Sequence, residues 1–253
     1  DFQQLFLLIA QAPVVAILLA MVASEDIYSS YDDTKAIMFS IGCASIWLGL
    51  FNSVQEICKE KVILQKEHMA DLKLSSYLLS KFIVQGIIAF IQATLLVGIF
   101  QKIVGSSEHS ILIDGYWDIQ LVSFLSILAA ASTGLFISAV VKNSNIAMSV
   151  IPLILVPQLL YSGMLFKLDG ITDFVSNFVL CRWTVEALGT SVNLNDLTHI
   201  AQTINPLIEI EPENYFTFTT EHMIEVIGII LLMTAVLMLA SYFVLRKNVN
   251  KNM

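Results

Sequence analysis

Residues 45–82 read SIWLGLFNSVQEICKEKVILQKEHMADLKLSSYLLSKF, in which three kinds of segment follow one another. An apolar window ends near Gln55, lysines and acidic residues crowd the segment 56–73, and a second apolar window begins near Ser75. The middle segment is too charged to enter lipid, where charged side chains are costly, and too regular to be a plain loop. The run therefore predicts two membrane-spanning helices joined by a charged amphipathic helix.

The rest of the chain is equally apolar. Of its 253 residues, 57% are hydrophobic and only 13% are charged, and the mean hydropathy is +0.78. Windows of about 20 residues with almost no charge are what a transmembrane helix requires. We therefore predict an all-α integral membrane protein with six transmembrane helices, at about residues 2–23, 35–55, 75–104, 119–141, 146–166 and 222–245. Pro152 and Pro157 predict a bend in the fifth of them.

A long loop, residues 167–221, separates the last two predicted spans and divides in two by composition. From Ile171 to Leu188, aromatic and aliphatic residues alternate with isolated polar ones, which is typical of interfacial or re-entrant helices. The part 193–220 is polar and irregular, and its role stays open. The chain starts at Asp1 with an apolar segment and without a basic stretch, so we expect part of a longer protein rather than a signal peptide.

The orientation follows from the 13 lysines and arginines of the chain, nine toward one predicted side of the membrane and four toward the other. The nine are Lys59, Lys61, Lys66, Lys73, Lys81, Lys142, Arg246, Lys247 and Lys251, and the four are Lys35, Lys102, Lys167 and Arg182. The side richer in basic residues is expected to be cytoplasmic. Both termini are therefore expected in the cytoplasm, with the loop 167–221 outside.

No catalytic or metal-binding motif is present, and no cofactor is expected in this chain. The four histidines and three cysteines are scattered, and without a phosphate-binding loop the chain cannot hydrolyse ATP alone. The predicted spans hold almost no acids near their middle, which argues against a proton- or sodium-driven carrier. Energy must then come from a soluble partner acting on 56–73. Alternatively, that segment binds anionic lipid as a juxtamembrane helix. No nucleic-acid partner is expected.

Several stretches together resemble the permease domain of ABCG-like, or type V, ABC exporters. Ser53–Phe82 resembles the junction of second span, coupling helix and third span, above all in bacterial members with an N-terminal ATPase and often a forkhead-associated domain. The other stretches are AQAP at 10–13, SIWLGLFNSVQE at 45–56, IPLILVPQLLYSGMLF at 151–166 and CRWTVEALG at 181–189. The resemblance implies a bacterial cytoplasmic membrane, a second permease copy, membrane lipids as partners, and ATP with Mg²⁺ in a nucleotide-binding domain.

The resemblance also implies roles for individual residues. Acids of the coupling helix 56–73, which transmits movement from the ATPase, correspond to Glu56, Glu60 and Glu67, and the entry to the third span corresponds to Ser75, Ser76 and Tyr77. The substrate cavity between the two copies corresponds to Ile46, Gly49, Leu50, Asn52, Ser53, Leu155, Val156, Gln158, Leu159 and Ser162. Met164 and Leu165 correspond to an apolar plug. Ordinary helix packing is the alternative for each of these residues.

Two departures from the family pattern bear on substrate and coupling. The aromatic residue that clamps flat drugs in eukaryotic multidrug members corresponds to Gly49. The third-span arginine that pairs with the acid at Glu56 is missing, so Asn52, Gln85 or a lysine is left as its partner. We expect an exporter of a lipid-like or amphipathic substrate working by alternating access. The alternatives are ATPase-coupled signalling or envelope assembly without transport, and an ATP-independent channel or carrier.

Overall fold

The computed structural model describes residues 2–24, 27–69, 72–107, 109–166, 168–198 and 214–250, and every regular element among them is helical. The α-helices are α1 (Phe2–Val22), α2 (Tyr31–Ser53), α3 (Lys61–Met69), α4 (Leu74–Val104), α5 (Gly115–Val140), α6 (Ser144–Leu160), α7 (Ile171–Ser176), α8 (Leu180–Ser191) and α9 (Thr220–Asn250). Short 3-10 helices cover Cys58–Glu60 and Asn214–Phe216. Residues 194–198 are also helical.

Five of these helices, α1, α2, α4, α5 and α9, are long and apolar enough to cross a membrane. The prediction of an all-α integral membrane protein is therefore confirmed. The helix that corresponds to the predicted fifth span, α6, has 17 residues and ends at Leu160 rather than Phe166. At a rise of 1.5 Å per residue it is about 25 Å long, which is less than the hydrocarbon thickness of about 30 Å.

The early end of α6 has a local cause. The Tyr161 amide still makes the helical hydrogen bond to Pro157 O, but the Ser162 amide bonds to Leu159 O, three residues back, and the Ser162 hydroxyl donates to the same oxygen at 2.8 Å. Gly163 follows with a φ of +80°, a left-handed conformation that often closes a helix and that glycine adopts without strain. Residues 161–166 are therefore turns and bends, not helix.

Helix α5 is the centre of the bundle and contacts α2, α4, α8 and α9. Its approach to α2 depends on two glycines. A β-carbon on Gly49 would lie 2.2 Å from Ile127 O, and one on Gly134 would lie 2.0 Å from Ser53 Oγ. Small residues allow membrane helices to approach this closely. The start of α5 is fixed by Asp118, whose carboxylate accepts backbone hydrogen bonds from residues 111–113 at 2.7–3.1 Å.

Helix α8 is embedded in the protein, whereas α7 before it lies at the surface. Most of α8 is buried, and it contacts α2, α5 and α9. On and near α7, Phe174 and Phe178 expose 66% and 69% of their surface. This pair matches the predicted interfacial and re-entrant helices in position. Most of the polar part predicted at 193–220 lies outside the described residues.

Candidate functional site

The charged segment between α2 and α4 forms a shorter helix than the predicted one, which covered residues 56–73. It is helical from Cys58 to Met69, and residues 54–57 form turns. The amides of Ile57 and Cys58 both donate to Ser138 Oγ of α5, at 2.9 and 3.0 Å. A side chain of another helix thus satisfies two backbone donors that a helix start would leave unpaired. We refer to residues 54–69 as the connecting segment.

Two of the predicted coupling acids share one lysine. Lys81 Nζ of α4 lies 3.3 Å from Glu56 Oε2 and 2.7 Å from Glu60 Oε1. The Tyr77 hydroxyl donates to Glu60 Oε2 at 2.8 Å. The partner of Glu56 is therefore a lysine, among the alternatives that the sequence left. Ser75 and Ser76 are exposed at the start of α4.

An apolar cluster lies beneath the connecting segment and joins it to three spans. It combines Ile57 and Leu64 of the segment with residues of α4, α5 and α9, namely Leu74, Leu78, Leu135, Ala139 and Leu245. Lys61 Nζ also reaches Val141 O, at 3.4 Å. A displacement of the connecting segment would therefore displace α4, α5 and α9, because close-packed interiors transmit strain.

The other side of the connecting segment is exposed. Lys59, Lys66 and Glu67 are exposed there, and Ile63 exposes 57% of its surface. We call these four residues the coupling face. Of the predicted coupling acids, only Glu67 belongs to it, since Glu56 and Glu60 are engaged with Lys81.

The predicted cavity residues of α2 lie inside the protomer. Gly49 and Ser53 face α5, and the Asn52 side chain donates to Gln92 Oε1 of α4 at 2.6 Å. Ile46 and Leu50 are 2% and 1% exposed. In a single protomer these five residues therefore join α2 to its neighbours, and their contact with a substrate stays a prediction.

The predicted residues of α6 are more accessible. Val156 and Leu159 expose 53% and 36% of their surface, and Leu155 is half-buried. Gln158 Oε1 accepts the Cys181 amide of α8 at 2.8 Å, and Ser162 is buried. Of the two predicted plug residues beyond α6, Met164 is half-buried and Leu165 is exposed.

A cleft of about 740 Å³ lies between α1, α2 and Leu159 of α6. Four residues of α2 at intervals of four line it, namely Phe39, Cys43, Trp47 and Phe51, and the last two stack with ring centroids 5.5 Å apart. Its α1 side is formed by Leu7, Ala10, Gln11, Val14, Val15 and Leu19. Leu159 alone of the predicted cavity residues lines this cleft.

Sequence reasoning missed the cleft face of α2, although a signal was present. Phe39, Cys43, Trp47 and Phe51 recur every four residues, which places them on one side of a helix. Gln11 and Ser40 are the polar residues of the lining, so the cleft offers an apolar volume with few hydrogen-bonding groups. Among the residues described, no group of three or more His, Cys, Asp or Glu side chains is placed to hold a metal ion.

Comparison with known proteins gives two matches. Residues 2–191 match the family described as ABC-2 type transporter. The ABC transporter ATP-binding/permease protein Rv1747 of Mycobacterium tuberculosis (strain ATCC 25618 / H37Rv) is 22% identical over 162 residues. That alignment covers 62% of this chain and 19% of the relative, so the chain spans about a fifth of that relative's length.

Proposed function

The chain belongs to the ABC-2 type transporter family, and we propose that it is the membrane-spanning half of an ATP-driven exporter that moves a lipid-like or amphipathic substrate. Membership of this family implies an ATPase as partner. ATP and Mg²⁺ would bind to that nucleotide-binding domain, on the same or another chain. Two permease copies would alternate between inward and outward access, and ATP biases this equilibrium only as far as it binds one state better.

The observation that carries the proposal is the construction of the connecting segment. Its coupling face presents Lys59, Ile63, Lys66 and Glu67 to the surroundings, while its other side is fixed to α4, α5 and α9 through the apolar cluster. A helix that only bound anionic lipid would not need an exposed acid, Glu67, beside Lys66. A mixed-charge surface with one exposed isoleucine suits a protein partner better.

The apolar cleft supports the choice of substrate class. Its aromatic and aliphatic lining would hold acyl chains or similar groups, and Gln11 and Ser40 would bond a polar head. A second copy facing α2 and α6 would cover the cleft and the exposed Val156.

The distribution of basic residues supports the orientation. Nine lysines and arginines lie toward one side and four toward the other. Because the side richer in basic residues is usually cytoplasmic, the connecting segment and both termini would face the cytoplasm of a bacterial inner membrane, and the opposite end of the helix bundle would lie outside. In this orientation the coupling face meets the compartment that supplies ATP.

The test is ATP hydrolysis by the full-length protein in lipid nanodiscs, measured with a panel of lipids and amphipathic compounds. Glu67→Lys should reduce turnover and its stimulation together, because it reverses a charge of the coupling face. Glu221→Lys is the matched control, since Glu221 is an exposed acid at the start of α9. Glu60→Lys is a poorer test, because it would also break the ion pair with Lys81.

A second pair of variants tests the cleft. Trp47→Ala should remove stimulation by the compounds and leave basal turnover, whereas Trp117→Ala, at an exposed tryptophan outside the cleft, should leave both. If no compound stimulates the wild type and Glu67→Lys has no effect, transport is not the function. The alternative hypothesis, an ATPase-coupled protein of signalling or envelope assembly, would then replace the exporter proposal.

A further inference from the structure

A buried carboxylate lies between α8 and the start of α9. Glu186 of α8 exposes only 5% of its surface. Its Oε1 atom lies 3.3 Å from His222 Nε2 of α9, and that nitrogen also lies 3.0 Å from the Tyr215 carbonyl oxygen, which accepts its hydrogen. The Oε2 atom lies 3.9 Å from Arg182 Nε, which is too long for a hydrogen bond, and it is without a hydrogen-bond partner among the described residues.

The charged and titratable groups around this carboxylate come from several elements. Arg182 belongs to α8 itself, His222 and Glu225 belong to α9, and Tyr215 belongs to the 3-10 helix before α9. From α7, Asp173 accepts the Tyr215 hydroxyl at 3.1 Å. On the α2 side, a β-carbon on Gly42 would meet the Val185 and Thr184 side chains, and the Cys43 thiol faces the Cys181 thiol.

The arginine is held away from the carboxylate by other contacts. Its guanidinium group lies between the rings of Trp183 and Tyr215, 4.8 and 4.7 Å from their centroids, and it also donates to Asn177 Oδ1. Burial raises the pKa of Glu186 to about 7, the Arg182 charge lowers it in part, and the Glu225 charge raises it further. The neutral acid is thus favoured here, because an incompletely paired buried charge costs more than a neutral group.

We propose that Glu186 and His222 form a proton-sensitive latch that holds the re-entrant helix α8 against the start of the last span and loosens as the pH on that side rises. The pKa of Glu186 is higher in the docked state than its ordinary value of 4.5, so the docked state binds more protons. Docking is then strongest at acidic pH and weakens as the pH rises through about 7.

Helix α8 is linked by direct contacts to α6, which carries part of the predicted cavity. One end of α8 donates the Cys181 amide to Gln158 Oε1 of α6, next to Leu159 at the cleft. At its other end a β-carbon on Gly189 would lie 2.5 Å from the Phe216 ring, so α8 is seated tightly on the chain that leads into α9. Release of the latch would free the loop end of α6. This consequence rests on the proposed exporter function, whereas the latch itself does not.

Hydrogen exchange of residues 180–191, in the full chain in nanodiscs without ATP or cargo, tests the latch. Wild type and Glu186→Gln are compared at each pH between 6 and 9, so that the pH dependence of the chemical exchange step cancels in their ratio. Glutamine has the shape of the protonated acid and cannot ionise. The wild-type exchange relative to Glu186→Gln should rise about tenfold from pH 6 to pH 8 and then level off.

A ratio that stays constant over this range overturns the latch and leaves the exporter proposal untouched. Glu221→Gln is the control and should behave like the wild type. Glu225→Gln gives a second, independent reading if Glu186→Gln does not fold. It removes a charge that raises the pKa of Glu186, so α8 exchange should fall below the wild type at pH 8 and equal it at pH 5. Equal exchange at both pH values contradicts the proposal.

Discussion

Gly49 has two interpretations, as a residue of the substrate cavity and as a packing residue between α2 and α5. By resemblance it corresponds to an aromatic clamp at the substrate cavity, yet in the protomer it lies against the α5 backbone, where a β-carbon would be 2.2 Å from Ile127 O and 2.9 Å from Ala131 N. Backbone atoms of a central helix cannot move aside cheaply. A substitution at Gly49 therefore changes the packing of α2 on α5 before it changes any cavity.

We predict that Gly49→Ala destabilises the protein by at least about 2 kcal/mol, because overpacking a close helix contact forces the helices apart. The midpoint of thermal unfolding in detergent measures this. Gly228→Ala is the control, since a β-carbon there meets no atom within 4 Å, and it should be neutral or slightly stabilising. Equal midpoints for the two variants would show that α2 and α5 are not in this close contact.

From the sequence, the partner of Glu56 could be predicted only as one of several residues. The side of α2 that faces the cleft was not predicted. A lysine was one of three alternatives, and only the fold brings Lys81, 25 residues away along the chain, to Glu56. The orientation of α2 was harder, because the helix is apolar around most of its circumference and periodicity then indicates no buried side. Only the interval of four between Phe39, Cys43, Trp47 and Phe51 distinguished the cleft face.

At the scale of elements, the connection between α2 and α4 depends on one hydroxyl group. Ser138 Oγ accepts the amides of Ile57 and Cys58, and Ser138 is fully buried. Removing this acceptor leaves two buried amides without a partner, which costs more than a lost hydrogen bond at the surface. The position of the connecting segment on α5 is thus set by a residue 80 positions away from Cys58.

We predict that Ser138→Ala lowers the free energy of unfolding by about 2 kcal/mol and weakens the effect of ATP on the membrane helices. The first effect is measured by thermal unfolding, and the second by the ratio of stimulated to basal ATP hydrolysis. Ser149→Ala is the matched control, because Ser149 is exposed and its hydroxyl bonds only within α6. A stable Ser138→Ala protein with full stimulation would show that this attachment does not transmit movement.

Element boundaries were predictable only where composition changes sharply. The charged segment between α2 and α4 was evident, but its turn at 54–57 depends on Ser138, far away in sequence. Likewise, residues 161–166 are apolar enough to extend a span, but the hydrogen bonds of Ser162 to Leu159 O and the positive φ of Gly163 end α6 first. Five long apolar helices followed from hydropathy alone, whereas such ends depend on local hydrogen bonds.

At the scale of the whole molecule, one protomer leaves two kinds of apolar surface exposed. Helix α9 exposes aliphatic residues along most of its length, Val236 among them, as a helix facing lipid does. Helix α6 also exposes Val156, but it is too short for an ordinary span and borders the open cleft. Lipid matches the first surface, whereas a second copy of the chain would match the second and close the cleft.

We predict that Val156→Cys, in a variant whose three native cysteines are replaced by alanine, forms a crosslinked dimer with a short bifunctional thiol reagent in nanodiscs. Val236→Cys is the matched control, because the two valines expose 53% and 55% of their surface. It should give monomers, since lipid covers that helix in both copies. Crosslinking at Val236 but not at Val156 would place α9 at the interface, and the cleft would then open to lipid rather than to a cavity shared by two copies.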